Sequence, residues 1–315
     1  MTTVLVTGAN GFVGKHLCRY LPTKGYAVRA AQRVCQPDSN LAEQVAIGDI
    51  DGTTDWSGAL VGVDTVVHLA ARVHVMRESE DDPLAAFRRV NVEGTAALGR
   101  QAVAAGVRRM IYLSSIKVNG EKTHGVPFSA DDDAGPEDAY GISKWEAEQA
   151  LRQIALETGL ELVIIRPVVI YGAGVKGNLQ RLMSLIRRGV PLPLGGIQNR
   201  RSFLSVGNLL DFLRCAIDHP AAAGELFLLA DGEDLSTPQL IRKLSKVMGC
   251  GVKLFPMPLS LLQFAGWLTG QSPVIARLTE DLQVDIAKNR DRLDWTPVVD
   301  MDQALQEMVD VNSRR

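Results

Sequence analysis

The sequence predicts an α/β protein with a doubly wound parallel sheet and a smaller, mixed C-terminal domain. Up to about residue 171, short β-branched segments alternate with longer segments of helical period, which is typical of βα units. Segments such as 65–70 and 162–166 are almost continuously apolar, as expected for parallel strands covered by helices on both faces. The chain has 315 residues, of which 46% are hydrophobic, and this is enough to bury a large core.

The predicted elements follow this alternation in order along the chain. We expect helices over 12–21, 87–105 and 140–157. The strands expected between and around them are 4–7, 28–31, 65–70, 110–114 and 162–166.

A second domain is expected to begin near residue 172, where glycine and proline start to interrupt the alternation. Two later segments, 203–206 and 226–229, are predicted to be strands that rejoin the first sheet. The predicted division is a first domain over 1–171 plus about 200–230, and a second domain over 172–199 and 231–315.

The balance of charge gives the chain no strong overall field. Lysine and arginine number 34 against 36 aspartate and glutamate, so neither nucleic acid nor an anionic membrane is an expected partner. The cysteines and histidines have none of the spacings typical of metal sites, so we expect free thiols and no metal. No apolar stretch reaches the length of about 18 residues that a membrane span needs, and no targeting pattern opens the sequence. We therefore expect a cytoplasmic protein without integral membrane contact.

A glycine-rich turn follows the first predicted strand and precedes the first predicted helix. Glycine at such a turn permits a tight conformation and close approach of the backbone to a pyrophosphate, while the helix N-terminus offers free N–H groups. We therefore predict a dinucleotide cofactor at this turn, with a plain structural turn as the alternative. The expected contacts are Gly8, Asn10, Gly11, Phe12, Val13 and Gly14.

The end of the second predicted strand bears on which dinucleotide binds. An acidic residue there would bind the ribose hydroxyls of NAD, whereas an arginine would pair with the 2′-phosphate of NADP. The strand ends at Arg33 without an acid, which indicates NADP(H); NAD(H) is the alternative, in which Arg33 is a solvated loop residue. Asp49, just before Ile50, is expected near the adenine, or else it caps a turn.

Tyr140 and Lys144 lie four residues apart in a predicted helix and therefore share one face. A nearby ammonium and an oxidised nicotinamide would lower the tyrosine pKa from its usual value of about 10 and let Tyr140 act as acid and base. Ser114 and Ser115 end the preceding strand, where a hydroxyl can polarise a carbonyl. The order of glycine turn, strand-terminal serine and tyrosine–lysine pair predicts hydride transfer to or from a carbonyl.

With these elements in place, the chain resembles the extended short-chain dehydrogenase/reductase family, and within it the enzymes that act on nucleotide sugars. The resemblance covers nearly the whole chain and implies an NADP(H)-binding Rossmann domain followed by a nucleotide-sugar-binding domain. The motifs that carry it are the glycine turn, 68–71, 91–95, Ser114 with Ser115, 118–120, 140–144, Arg166 with Pro167, and Tyr171 with Gly172.

The resemblance also implies roles for single residues. Lys144 would bind the nicotinamide ribose, and Ser115 rather than Ser114 would be the carbonyl donor. Asn119 stands where the family usually has tyrosine, a departure that concerns the wall of the pocket and not the fold. The further cofactor contacts implied are Ile50, Leu69, Ala70, Ala71, Asn91, which would also support the site, and Pro167.

The predicted reaction is a redox reaction at C4 of the sugar. Related sugar dehydratases carry an Asp-Glu pair after the strand-tip residue, and Ile116 and Lys117 stand there instead, which argues against dehydration. A 4-ketoreductase that consumes NADPH and a 4-epimerase that keeps NAD bound remain. Arg33 favours the reductase, and the run 278–285 resembles that of bacterial UDP-4-keto-6-deoxy-N-acetylglucosamine 4-reductases of O-antigen assembly, as does 293–297. A third hypothesis is an NADP(H) sensor without turnover.

Substrate contacts are expected from cations in the second domain, since a planar guanidinium pairs well with phosphate oxygens. The resemblance implies Arg201 for the diphosphate, while Asn178 and Arg277 could instead be capping or solvated residues. The full set of predicted substrate contacts is Ser115, Lys117, Asn178, Arg201 and Arg277.

Two helical segments bear on partners. The apolar segment 259–268 could touch a membrane surface, but it lacks basic residues, and we expect a buried lid helix. The helices over 87–105 and 140–157 carry apolar residues on more than one face, which suits the homodimer usual in this family.

Overall fold

The computed structural model describes residues 1–35, 43–73 and 82–313, and its strands form two sheets. The strands are β1 (Thr3–Thr7), β2 (Ala27–Gln32), β3 (Glu43–Ala46), β4 (Thr65–His68), β5 (Arg109–Leu113), β6 (Glu161–Pro167), β7 (Val169–Tyr171), β8 (Arg201–Ser205), β9 (Leu226–Leu229) and β10 (Asp234–Leu235). Seven of them form a parallel sheet in the order β3-β2-β1-β4-β5-β6-β9. In the smaller sheet, β8 pairs parallel with β7 and antiparallel with β10.

The helices cover the faces of the parallel sheet and build most of the C-terminal part. They are α1 (Phe12–Thr23), α2 (Ser57–Leu60), α3 (Pro83–Arg88), α4 (Gly94–Ala104), α5 (Ala139–Thr158), α6 (Asn178–Arg187), α7 (Val206–Asp218), α8 (Thr237–Val247), α9 (Leu259–Leu268), α10 (Ser272–Thr279), α11 (Ala287–Leu293) and α12 (Met301–Ser313). None of the described helices combines the length and the apolar character that a membrane crossing requires.

The predicted fold class, a doubly wound parallel sheet with a smaller mixed part, is confirmed. The chain runs outward from β1 through β2 to β3 and then returns to place β4, β5 and β6 on the other side of β1. This reversal leaves a crevice at the carboxyl ends of β1 and β4, which is where ligands bind in such sheets. The glycine turn follows β1 and the two serines follow β5, so both lie at this edge.

Two details differ from the sequence prediction. The helix expected over 87–105 is interrupted, because α3 and α4 are joined by a π-helical turn at Arg89–Glu93. The strand expected over 203–206 belongs to the small sheet, where β8 pairs with β7. It therefore does not rejoin the first sheet, whereas Leu226–Leu229 does so by pairing with β6. The division into two domains remains a prediction.

Two hydrophobic clusters underlie the two sheets. The larger fills both faces of the parallel sheet, and the smaller joins α6, α8 and α12 around Ile241, Leu244 and Met308. The segment after α10 runs beside β8, since Ser202 N–H donates to the Leu282 carbonyl and Leu282 N–H donates to that of Arg200. This pairing brings the C-terminal part of the chain against the edge of the crevice.

Candidate active site

The glycine turn has the shape of a phosphate cradle. Gly8 has a φ of +64°, and a Cβ added there would lie 2.9 Å from the Ala70 nitrogen. At Gly14 an added Cβ would lie 2.2 Å from the Gly8 carbonyl oxygen, so the helix packs against the turn only because that side chain is absent. Gly11, the residue before α1, has no side chain to cap the helix, which leaves the N–H groups of the first helical turn for a ligand. The predicted residues 8–14 therefore fit the pyrophosphate of a dinucleotide.

A buried histidine network fixes the opposite wall of this cradle. Thr7 Oγ1 accepts hydrogen bonds from the backbone N–H groups of Leu69 and Ala70, both at 3.2 Å, so its own proton goes to His68 Nδ1 at 2.7 Å. His68 Nε2–H then donates to Thr95 Oγ1 at 2.9 Å. Burial lowers the pKa of His68 to about 3, which keeps this network neutral. The predicted contacts at 69–71 are thereby held next to Gly8.

Asn91 joins the same wall to the helix that carries Tyr140. Its side chain is buried and exchanges hydrogen bonds with the Arg72 backbone, donating at 3.0 Å and accepting at 2.8 Å. Its amide also donates to Ser143 Oγ at 3.0 Å, and Ser143 Oγ donates to the Tyr140 carbonyl at 2.8 Å. Both amide protons are used within the protein, so Asn91 acts here as a positioning residue, and its contact with the cofactor remains a prediction.

The predicted adenosine end carries both an arginine and an acid. Arg33 Nη1 lies 3.6 Å from Asp49 Oδ1, and both side chains are largely exposed. Gln32, which the sequence analysis did not single out, is buried at the end of β2, and no described residue bonds its Nε2. Ile50 packs against α4, where a Cβ at Gly94 would lie 2.4 Å from its Cγ2. Because Asp49 lies so close to Arg33, its negative charge partly balances the charge of the guanidinium.

The two serines after β5 have different partners. Ser114 is buried, and its Oγ donates to Glu148 Oε1 at 2.5 Å. Ser115 is half-buried, and its Oγ accepts the Lys117 N–H at 3.3 Å at the start of a short 3-10 turn over Ile116–Val118. Because the Ser114 proton is already used inside the protein, Ser115 is the serine whose hydroxyl can donate to a carbonyl.

Lys144 is buried below Tyr140 on α5. Its Nζ donates to the Leu113 carbonyl at 2.7 Å and lies 4.2 Å from the centre of the Tyr112 ring. Burial lowers the pKa of Lys144 to about 7, against an opposing effect of the Glu148 charge. The ammonium therefore gains and loses its proton near neutral pH.

The pKa of Tyr140 shifts in the direction opposite to our expectation. Burial, and secondly the charge of Asp138, raise it to about 12, so the protein's own groups keep the phenol protonated. The Tyr140 ring packs edge-on against Phe87 with ring centres 6.0 Å apart. For the protein groups alone the expected lowering is wrong, because the loss of solvation of a buried phenolate outweighs it.

Contacts around Lys117 bring the Ser115 turn and the start of α5 together. The Lys117 ammonium lies 2.5 Å from Asp138 and 2.7 Å from Glu121, and Asp138 also caps α5 by accepting the Gly141 N–H at 2.7 Å. A Cβ at Gly141 would lie 2.8 Å from the Lys117 carbonyl oxygen. Lys117, predicted as a substrate contact, is thus already engaged in ion pairs that hold Ser115 near Tyr140.

A buried ion pair beneath the site was not foreseen from the sequence. Glu148 is fully buried and pairs with Arg166 through two hydrogen bonds of 2.6 and 2.9 Å. Arg166 also donates to Asn119 Oδ1 at 2.9 Å, so the residue that departs from the family pattern completes this network. The only signal in the sequence was the position of Glu148, four residues after Lys144 on the same helix face.

The arginines predicted for the substrate lie together on the side of the smaller sheet. Arg201 is 8% exposed and donates to the Glu280 carbonyl at 3.0 Å, and within the described ranges its guanidinium forms no ion pair. Burial lowers the pKa of Arg201, the charge of Glu280 opposes this effect, and the like charge of Arg277 adds to it. Arg277 is exposed in the last turn of α10.

Two other predicted contacts lie on different elements. Asn178, predicted for the substrate, is the exposed first residue of α6, and Pro167, predicted for the cofactor, is the buried last residue of β6.

A phosphate cradle at the switch point, with a serine, a tyrosine and a lysine at neighbouring strand and helix ends, defines a short-chain dehydrogenase/reductase. Residues 4–230 match the NAD dependent epimerase/dehydratase family, and the chain belongs to that family. The resemblance to the extended family and the predicted enzyme class, an NAD(P)-dependent enzyme, are confirmed by this match.

Named relatives support the same assignment. A UDP-glucose 4-epimerase of Vibrio cholerae is 44% identical over 97% of this chain and 92% of its own length. An N-acetyl-α-D-glucosaminyl-diphospho-ditrans,octacis-undecaprenol 4-epimerase of Escherichia coli O157:H7 is 31% identical over 84% of this chain and 78% of its own length. The solved structure of MoeE5 with UDP-glucuronic acid and NAD superposes with a TM-score of 0.79 over 99% of both chains, at 24% identity, and so shows the shared fold.

Proposed function

We propose that the protein is a UDP-sugar 4-epimerase that keeps one nicotinamide cofactor bound. The observation that carries this proposal is the 44% identity, over nearly the whole chain, with a relative named UDP-glucose 4-epimerase. The candidate site supports it, because Lys144 Nζ donates to the Leu113 carbonyl next to the two serines, and Tyr140 lies one helical turn before Lys144. The sequence favoured the NADPH-dependent 4-ketoreductase and kept the epimerase as the alternative. The relatives reverse that order, because both that are named above are 4-epimerases.

The site residues divide the proposed chemistry between them. The cofactor, when bound, supplies reversible hydride transfer at C4 of the sugar. Ser115 donates a hydrogen bond to the C4 oxygen and stabilises the charge that develops on it. Tyr140, in the phenolate form that the positive charge of a bound oxidised nicotinamide would favour against the effect of burial, accepts the proton of the C4 hydroxyl and later returns a proton to the same oxygen, so the sugar leaves with its atoms unchanged in number. Lys144 lies on the same face of α5 as Tyr140. With a pKa of about 7, its amine can take up and release a proton at neutral pH.

The proposed cofactor is NAD(H) rather than the NADP(H) that Arg33 alone suggested. The carboxylate of Asp49 lies 3.6 Å from the Arg33 guanidinium and would repel a 2′-phosphate placed there. We expect Asp49→Asn to increase the affinity for NADP relative to NAD by roughly a few-fold, since an exposed charge pair is worth about 0 to 1 kcal/mol. Calorimetric titration of both cofactors measures this ratio, and an unchanged ratio would show that Asp49 takes no part in the selection.

The test of the function separates the two redox reactions. The purified protein is incubated with UDP-glucose or UDP-N-acetylglucosamine without added cofactor, and separately with NADPH and a UDP-4-keto-6-deoxy sugar. We expect C4 epimers in the first incubation, and Tyr140→Phe should reduce turnover by about 10² to 10⁴-fold while nucleotide binding is kept. Oxidation of NADPH in the second incubation, with no epimer in the first, would establish the ketoreductase instead. Nucleotide binding without turnover in either would support the sensor.

A second substrate class is a sugar diphosphate carried on a polyprenyl lipid. The Escherichia coli relative is named for such a substrate, which shares the sugar and the diphosphate with a UDP-sugar. Arg201 and Arg277 suit the diphosphate of either compound. The observation that favours the lipid-linked class is the large apolar exposure of α9, which packs against the helix that carries Arg277.

We further propose a homodimer through α4 and α5. A groove of about 360 Å³ between these helices is lined partly by Val103, Ala150 and Ile154, and Trp145 on α5 is 37% exposed. A second copy would cover these apolar side chains. The cytoplasmic location expected from the composition remains a prediction.

A further inference from the structure

Helix α9 exposes an apolar surface that is large for its ten residues. It carries no charged residue, and only Leu262 and Gly266 are buried. Phe264 is 59% exposed and Trp267 70%, with their ring centres 6.0 Å apart. The other exposed apolar side chains are Leu259, Leu261 and Leu268. We call these five residues the α9 face. The expectation of a buried lid helix is therefore wrong, because only one side of the helix reaches the core.

The α9 face is held firmly against the rest of the protein. A Cβ at Gly266 would lie 2.7 Å from Ile275 Cγ1, so α9 and α10 are in close contact at this point. The Gln271 N–H donates to the Gly266 carbonyl at 2.7 Å, which fixes the connection between the two helices. Leu262 inserts into the smaller hydrophobic cluster. The exposed side chains therefore belong to an ordered element whose apolar side faces outward.

The helix next to the α9 face carries one of the two candidate diphosphate ligands. Arg277 lies in the last turn of α10, and Arg201 on β8 donates to the carbonyl of Glu280, which directly follows that helix. The end of α10 thus brings two arginines together, while the other side of the α9–α10 pair presents the uncharged α9 face. A ligand with a diphosphate and a long hydrocarbon chain matches this arrangement, whereas a nucleoside diphosphate has no hydrocarbon to cover the α9 face.

We propose that the α9 face inserts into the surface of a lipid bilayer, at the boundary between headgroups and acyl chains. In this position a polyprenyl-diphosphate sugar in the same bilayer can reach Arg201 and Arg277 with its diphosphate. This inference rests on the proposed function, because the sugar would react at the same C4 site. Aromatic and leucine side chains on one helix are the groups that insert at the boundary between headgroups and acyl chains. Since α9 has no lysine or arginine and the protein has a net charge of −2, docking depends on apolar burial and not on anionic lipid.

The test measures binding of the full-length protein to vesicles by flotation. Vesicles of phosphatidylcholine alone and vesicles mixed with phosphatidylglycerol are compared, each at low and high salt. We expect similar binding in all four conditions, and at least roughly tenfold weaker binding for Phe264→Ser/Trp267→Ser. The control variant Val61→Ser/Val298→Ser removes two side chains that are 68 and 62% exposed elsewhere, and it should bind as the wild type does.

Two further measurements decide between the remaining occupants of the α9 face. Turnover of a UDP-sugar in solution should be unchanged by Phe264→Ser/Trp267→Ser, while turnover of a polyprenyl-diphosphate sugar in vesicles should fall with vesicle binding. A wild type that epimerises UDP-sugars but does not float with vesicles would overturn the inference and leave the proposed function intact. A change from dimer to monomer in the variant, seen by analytical ultracentrifugation, would overturn it in favour of a second copy. Vesicle binding without any epimerase activity would instead refute the proposed function, while the α9 face would still be supported as a membrane-docking surface.

Discussion

Lys144 is a buried cation whose burial lowers the stability of the fold at neutral pH. Its pKa falls from 10.5 in an unfolded chain to about 7 in the folded protein. Between pH 7 and pH 10.5 the lysine of the unfolded chain holds a proton that Lys144 in the folded protein has lost. The free energy of unfolding therefore rises with pH over this range. Below pH 7 Lys144 is charged in both states, and the full loss of unfolding free energy is present. It amounts to about 1.4 kcal/mol for each unit by which folding lowers the pKa.

We therefore expect Lys144→Met to gain stability relative to the wild type in a pH-dependent way. The difference in unfolding free energy should favour the variant most at pH 7 and below, by a few kcal/mol. It should shrink steadily as the pH rises towards 10.5, because Lys144 is neutral in the folded protein above pH 7 and the cost of removing its proton on folding falls as the pH approaches the pKa of the unfolded chain. Urea denaturation of both proteins across this range gives the difference directly. A difference that stays constant from pH 7 to 10 would mean that Lys144 has an ordinary pKa.

Glu148 supports the site from below through its pairing with Arg166. In Glu148→Gln the guanidinium remains buried without its counter-charge, which costs about 3 to 5 kcal/mol for pairs of this kind. The matched control is Glu146→Gln on the same helix, whose partner Arg88 is half exposed, and which should cost about 0 to 1 kcal/mol. Chemical denaturation compares the two variants. Equal losses would show that the buried pair has no special role.

The motifs of the sequence predict reacting residues and one supporting residue, Asn91, but not the buried network beneath the site. Ser115, Tyr140 and Lys144 were predicted from their spacing and order, and their roles remain a prediction. The structural roles of Glu148 and Asn119 were not predicted. Both residues bond to Arg166, which lies 18 residues after Glu148 and 47 residues after Asn119 in the sequence. The raised pKa of Tyr140 was also missed, since burial is a property of the folded chain and not of local spacing.

The first turn of α5 is the element that places Tyr140 against the Ser115 turn. A Cβ at Gly141 would lie 2.8 Å from the Lys117 carbonyl oxygen, which is closer than such contacts normally are. We expect Gly141→Ala to push these two elements apart and to reduce kcat by about tenfold to a hundredfold, because small displacements of catalytic groups are costly. Cofactor affinity should change little, since the glycine turn lies on other elements.

Steady-state kinetics and cofactor titration check this expectation together. The control is Gly58→Ala in α2, where an added Cβ meets no atom within 4 Å. It should keep wild-type kinetics. A Gly141→Ala variant with unchanged kcat would show that the close approach of α5 to the Lys117 turn is not needed for turnover.

The alternation of apolar segments predicted most of the elements of the parallel sheet, but not their irregularities. The π-helical turn at Arg89–Glu93 has no marker in the local sequence, yet it carries Asn91 into the wall of the crevice. Strand β8 was predicted as a strand, but its partner β7 could not be identified, since pairing is decided by tertiary contacts. The exposure of α9 was missed because an apolar helix is usually buried.

At the scale of the whole molecule, the reversal of strand order gathers distant segments at one crevice. The turn after β1, the loop after β4 and the serines after β5 meet there because parallel strands end at the same edge. The segment beside β8 is joined to the loop after β5, since the Thr123 N–H donates to the Asp281 carbonyl and the Phe128 N–H to that of Gln283. The predicted fold class therefore already indicates where the candidate site lies, whereas the choice of 4-epimerase as the proposed reaction rests on the relatives.

The measurement that tests the account most directly is the fate of the C4 hydrogen during turnover in deuterated water. The proposed epimerase removes this hydrogen and returns it within one closed site, while Tyr140 handles only the oxygen-bound proton. NMR of the epimerised sugar should therefore show protium at C4, and Tyr140→Phe should form this product about 10² to 10⁴-fold more slowly under the same conditions. Deuterium at C4, or a Tyr140→Phe variant that epimerises at the wild-type rate, would contradict the account.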